Sequence, residues 1–331
     1  MTTRIPENPL PAIPINIDWR AIPFDESRFT AVPSDPPVKT LIIAGVLFLL
    51  TLCMCLVAGT QFAIAYNNNQ AGSIDEFVHA FTLFYKNPAG LAAGLPFALT
   101  LLTILLAHEL GHFFACRHHH IRSSYPFFIP FPSLIGTFGA FILIRSPFRT
   151  NRALFDVGAS GPFVGFIFAV PALIYGVLHA KLVPGLTDPA HAEIIFGTPL
   201  LLRLLEAVFH PGVAPSALLL PPIGRAAWVG LFATSLNLLP AGQLDGGHIV
   251  RSVSPRAHRF LSLLLPLFLF SLGYFADWPG WYVWAALLFG IRFLRTAPVY
   301  DPLPLDSDRK FGAFLAFLIF ILSFMPAPIL S

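Results

Sequence analysis

The chain has 331 residues, 56% of them hydrophobic and only 11% charged, with a net charge of +3 and a mean hydropathy of +0.72. Soluble domains carry roughly 25% charged residues, so a water-soluble fold is excluded; too little polar surface exists to cover such a core, and the lipid bilayer is its natural solvent. The basic residues are few and spread along the chain, which leaves no footprint for nucleic acid, and three cysteines, Cys53, Cys55 and Cys116, make no disulfide framework.

Residues 1–38 are polar and Pro-rich, from Pro6 to Pro36-Pro37. They read as a flexible cytoplasmic tail with no signal peptide, followed by one membrane-embedded domain over 39–331. A crossing needs about 20 mainly apolar residues. Seven stretches qualify or nearly do: Leu41–Tyr66, Leu91–Phe114, Phe163–Leu182, Ala226–Leu239, Phe260–Ala276, Trp281–Phe293 and Phe311–Met325. The fourth and sixth are short, so six and eight are the neighbouring counts. The expected fold is an all-α polytopic membrane protein of about seven transmembrane helices.

Two further segments are not ordinary crossings. Tyr125–Ile144 is apolar but broken by Pro126, Pro130, Pro132, Gly136 and Gly139. Its second half has the aromatic and β-branched residues of a short strand or hairpin, expected within the protein at membrane depth, where irregular backbone is tolerated only against protein or a wet cavity. Ile194–Val208 carries Arg203 and Glu206 on an apolar stretch and reads as an amphipathic helix lying on the outer surface.

With the N-terminus inside and seven alternating spans, sixteen of the twenty Lys and Arg residues fall on the cytoplasmic side. The positive-inside rule therefore favours this orientation over its inverse.

The second span ends in LLAHELGHFFAC. One helical turn separates His108 from His112, so both imidazoles project from one face and can reach a single tetrahedral zinc. Glu109 stands beside them as general base. Two imidazoles and a carboxylate after a long apolar run are expensive unless partnered or functional. Two His and a water leave one protein ligand missing. The later cluster Asn237-Leu-Leu-Pro240-Ala-Gly-Gln-Leu-Asp245-Gly-Gly-His248 offers Asp245, because Pro240 and the glycines let the chain turn back at membrane depth. Both clusters lie at the cytoplasmic ends of their spans.

HELGH on one span with NLLPAGQLDGG on a later one resembles the site-2 protease family of intramembrane zinc metalloproteases, peptidase family M50, in the branch without PDZ-like or CBS-like domains. The match covers about residues 89–251, including ASGPFVGF at Ala159–Phe166, and GTFGAFI resembles the family's membrane-embedded sheet. The resemblance implies one Zn2+ per chain held by His108, His112 and Asp245. It implies Glu109 as catalytic base and Asn237 as a group that stabilises the oxyanion or places the substrate. It also implies close helix packing at Gly161 and Gly165, and a transmembrane protein or peptide as substrate. A bacterial plasma membrane is the expected location.

His118-His119-His120 read as a solvated cap without nearby carboxylates. His248 is open between a role supporting Asp245 and a bland place past a turn, and Gln243 is a loose candidate for a hydrogen bond near the site. His79, His179, His191, His210 and His258 receive no role. Two other classes compete: an inactive membrane scaffold of the same fold, which has no chemical reason to keep Glu109, and a metal transporter, whose usual internal repeat is not seen.

Overall fold

The computed structural model describes residues 37–71, 74–186, 194–214, 217–291, 299–301 and 303–330; the tail up to residue 36 lies outside them. Helix α1, Val38–Asn68, ends where Asn69 takes a left-handed φ of 55°, a conformation that Asn tolerates. An amphipathic α2, Ile74–Lys86, which hydropathy does not flag, packs Phe77 and Phe81 around Val57 and Leu91. A 3-10 segment, Pro88–Gly94, leads into α3, Leu95–His118.

Strands β1, Phe127–Pro130, and β2, Thr137–Phe141, form an antiparallel hairpin. The PFFIPFP half is thus a strand as well, and the turn is made by Gly136 at a φ of 85°, which only glycine adopts without strain. After β3, Phe148–Thr150, comes α4, Asn151–Leu178, whose first turn is capped by the Thr150 hydroxyl accepting from the Ala153 N–H. Helix α4 starts well before the Phe163 expected from hydropathy, since Arg152 and Asp156 hide its first turns.

The remainder comprises β4 (Lys181–Leu182), β5 (Ile195–Phe196), α5 (Leu200–Phe209), β6 (Leu218–Leu219), α6 (Pro222–Asn237), α7 (Asp245–Val253), α8 (Pro255–Phe275), α9 (Gly280–Ile291), β7 (Val299–Asp301), α10 (Ser307–Ser323) and β8 (Ile329–Leu330). Small two-stranded pairings tie β3 to β7, β4 to β6 and β5 to β8. The amphipathic helix expected at Ile194–Val208 begins only after Pro199, because proline fits a helix start and the residues before it are strand. Its Glu206 is buried, not solvated.

Among the described residues, four helices are long and apolar enough to cross a membrane: α1, the 3-10 segment with α3, α4, and α8. The other three expected spans are helices α6, α9 and α10, of 16, 12 and 17 residues. Each is below the roughly 20 that a lone crossing needs.

Helix α3 lies between α1, α4 and α6 in a core that includes Phe97, Leu101, Ile104, Leu173, Trp228 and Leu231. Between helices in lipid, attraction comes from close packing rather than transfer out of water. A Cβ on Gly111 would stand 2.7 Å from the Ser160 carbonyl oxygen, so α3 and α4 touch backbone to backbone beside the histidines. The outward faces keep Leu41, Ile42, Phe268, Phe270, Phe314 and Phe317 exposed, an apolar exterior suited to lipid.

Candidate metal centre

Helix α3 carries His108 and His112 one turn apart, both buried together with Glu109. Helix α7 brings Asp245 in at its first residue. The three ligand atoms form a nearly equilateral triangle: His108 Nε2 to His112 Nε2 is 3.1 Å, and each of these nitrogens is 3.2 Å from Asp245 Oδ2. Metal–ligand bonds of about 2.0–2.1 Å at tetrahedral angles require edges of roughly 3.3 Å, so the donor set fits one zinc. It is the one His, Cys, Asp and Glu group of this compactness among the described residues.

The ring orientations follow from the surroundings. His112 Nδ1 donates to the Val157 carbonyl of α4 at 2.6 Å, which leaves the Nε2 lone pair directed at the triangle. A Cβ on Gly161 would collide with His112 Nε2, and one on Gly165 would stand 3.0 Å from His108 Nδ1. The small face of α4 is therefore the floor on which both imidazoles lie. Asn237, the last residue of α6, puts Nδ2 3.3 Å from His108 Nε2. All five residues singled out by sequence, His108, Glu109, His112, Asn237 and Asp245, meet at one cavity of about 190 Å³.

The opposite wall of that cavity is Ala140, Phe141 and Ile142. Ser124 engages both main-chain groups of Leu143, accepting its N–H and donating to its carbonyl. Successive residues of an extended chain turn their main-chain groups to opposite sides. Ile142 and Ala140 therefore direct theirs away from β1, and the main chain of Ile142 hydrogen-bonds Glu109.

Several side chains have parts that the sequence concealed. His258 is buried, and its Nε2 donates to the Gly242 carbonyl at 3.0 Å, while Ser262 Oγ accepts from the Gly242 N–H at 3.1 Å. Helix α8 thereby fixes the turn that presents Asp245. The reading of the His118–His120 run as a solvated cap without carboxylates fails at its middle member. His119 Nε2 lies 2.8 Å from Asp156 Oδ2, and Arg309 of α10 grips the same carboxylate with two bonds of 2.8 and 2.6 Å. His248 and Gln243 line the cavity, and the His248 ring lies 5.6 Å from that of Phe148. Asp156 is the one acid inside α4, and that was the available signal; nothing local marks His258.

The model of peptidase family M50 matches residues 96–271. Over 237 residues the chain is 29% identical to the probable zinc metalloprotease EGY1, chloroplastic, of Oryza sativa subsp. japonica, covering 66% of this chain and 39% of that protein. Over 275 residues it is 30% identical to the probable zinc metalloprotease EGY2, chloroplastic, of Arabidopsis thaliana, covering 77% of this chain and 48% of that one. The chain thus spans less than half the length of these relatives, and their chloroplastic names lend the expected bacterial plasma membrane no support. No solved structure matches the chain. The family model covers more than half of the sequence and includes both metal-ligand helices: the chain belongs to peptidase family M50.

Proposed function

We propose that this protein is a membrane-embedded zinc metalloendopeptidase that cleaves peptide bonds in or near transmembrane segments of membrane proteins. The observation that carries the reading is the His108–His112–Asp245 triangle with Glu109 beside it in one cavity. Zinc, when bound there, supplies a Lewis acid that polarises the scissile carbonyl and acidifies water.

The chain's own residues do the rest. Glu109 accepts the proton of the attacking water and passes it to the leaving amine. Asn237 Nδ2 donates to the carbonyl oxygen as its negative charge develops. A transmembrane helix must unwind before its peptide bonds are reachable, and the main-chain edge at Ala140 holds the unwound stretch by strand pairing. His112 stays in the ligand tautomer through its bond to the Val157 carbonyl.

The same reading puts all seven apolar helices across the membrane, with the N-terminus and the active site on the more basic, cytoplasmic side. It rests on the charge bias of the loops and not on the relatives' names.

The test is zinc per chain in detergent for the wild type and Asp245→Ala, with cleavage of a panel of single-span substrates by the wild type and Glu109→Gln. One zinc per chain, lost in Asp245→Ala, and cleavage abolished in Glu109→Gln with zinc retained are expected. A folded wild type without zinc would overturn the reading. Stoichiometric zinc with equal cleavage by Glu109→Gln would remove Glu109 from its role.

A further inference from the structure

A second cavity, of about 520 Å³, lies at the far end of α6 from the metal centre. Arg225, on the first turn of that helix, lines it, and Asn237 at the metal ends the same helix, so the two sites are about 18 Å apart at 1.5 Å per residue. The volume is that of a ligand site rather than a packing void.

Its walls are apolar, with Phe196, Leu202, Trp228 and Met325 among them, and three charged side chains converge on it: Arg203, Glu206 and Arg225. Glu206 is 5% exposed, and its Oε2 is buried with no hydrogen-bond partner among the described residues. Among the described residues, the Arg225 guanidinium is held by rings, 4.1 Å from the Phe196 centroid and 6.0 Å from that of Phe62. No carboxylate lies within ion-pairing distance of it among the described residues. Arg203 donates through Nε to Thr198 and lines the same cavity.

A carboxylate and a guanidinium that share an apolar cavity without touching are each costly to keep desolvated. A guest carrying both complementary charges, a few ångströms apart, relieves both. We propose that this cavity binds the headgroup of an aminophospholipid. The primary ammonium donates to Glu206, the phosphate accepts from Arg225 and Arg203, and the glycerol and first methylenes lie against Phe196, Leu202, Trp228 and Met325. An amine with N–H donors is required, because Glu206 Oε2 lacks a hydrogen bond and not merely a counter-charge.

The full chain, stripped of lipid in detergent, is titrated with phosphatidylethanolamine, phosphatidylcholine and phosphatidylglycerol, and bound lipid is counted by native mass spectrometry. One phosphatidylethanolamine per chain, bound about tenfold more tightly than either other lipid, is expected for the loss of one charged hydrogen bond. Glu206→Gln and Arg225→Gln each erase the preference, and Thr198→Trp, which fills the cavity and leaves all three charges, removes the tight binding. Zinc content in each variant reports an intact fold, and lipid binding does not depend on the protein being a protease. Equal binding of the three lipids to the wild type, or a preference that survives Glu206→Gln, overturns the site. Displacement by soluble phosphoethanolamine at matching concentration assigns the headgroup chemistry but overturns the lipid as its source.

Discussion

Among single residues, Gly161 and Gly165 control the metal centre as firmly as the ligands do. Neither donates an electron pair; each removes a side chain from beneath an imidazole. A methyl group at Gly161 would occupy the volume of His112 Nε2, whereas one at Gly165 meets His108 Nδ1 at 3.0 Å, a contact that a small shift relieves. Gly161→Ala is therefore expected to lose zinc about as completely as a ligand deletion. Gly165→Ala should keep the metal with an affinity lowered by about tenfold, the scale of changes to groups that orient ligands. Zinc per chain against a competing chelator measures both, and equal retention in the two variants would show that α4 does not set the ring positions. The ligands were legible because HELGH and LDGG place chemistry at fixed spacings. The supports were not: the Val157 carbonyl that orients His112 is a main-chain group, and His258 acts through another backbone carbonyl. Residue type alone announces neither.

At the scale of the element, the hairpin and α5 show what patterning conveys and where it stops. Aromatic and β-branched residues among glycines pointed to a strand or hairpin in Gly136–Ile144, and β2 lies within it, but PFFIPFP looked irregular because Pro130 ends β1 at the point where the pairing shifts register. Pairing at Ala140 is testable. Gly139 has a φ of 106°, so proline there would break the hairpin itself. Ala140→Pro instead removes one outward N–H in an extended segment. It should leave zinc binding unchanged and lower kcat/KM on membrane-helix substrates about tenfold, the worth of one hydrogen bond; unaltered cleavage would dismiss edge pairing. On α5, periodicity found the amphipathic helix but not which polar residue it buries. Burial pushes the Glu206 carboxyl up from 4.5 to about 7, and Arg203 and Arg225 only partly counter it. A carboxyl raised in the folded state stabilises the fold in its neutral form. That contribution is complete below about pH 4.5 and is lost as pH rises through about 7. Lipid-free wild type should therefore lose stability relative to Glu206→Gln between pH 5 and 8, by on the order of 1–3 kcal/mol. Parallel melting curves of the two would contradict it.

Over the whole molecule, composition alone established the solvent, whereas the number of crossings needed tertiary contacts to argue. Helices α6, α9 and α10 are too short by length, yet each joins the two ends of the molecule. Arg309 at the start of α10 grips Asp156 near the start of α4, and just beyond its other end the Pro328 carbonyl accepts from the Gly197 N–H beside the charged cavity. Trp281 at the start of α9 donates to the Pro326 carbonyl, and Ile291 at its end packs by Gly242 near the metal. The pairing of β3 with β7, and of β5 with β8, likewise joins only segments that seven alternating crossings place on one side. For the proposed seven crossings, a bilayer thinned locally around the short helices would cost fractions of a kcal/mol per ångström of mismatch. The alternation has a direct check in sealed vesicles, using a membrane-impermeant maleimide on variants with the native cysteines replaced. Cysteine at the exposed position 120, beyond α3, and at the exposed position 184, beyond α4, should label from opposite sides, with position 120 on the side of the N-terminus. Labelling of both from one side would mean that α4 does not cross. It would also put the charged cavity and the metal centre in contact with the same compartment.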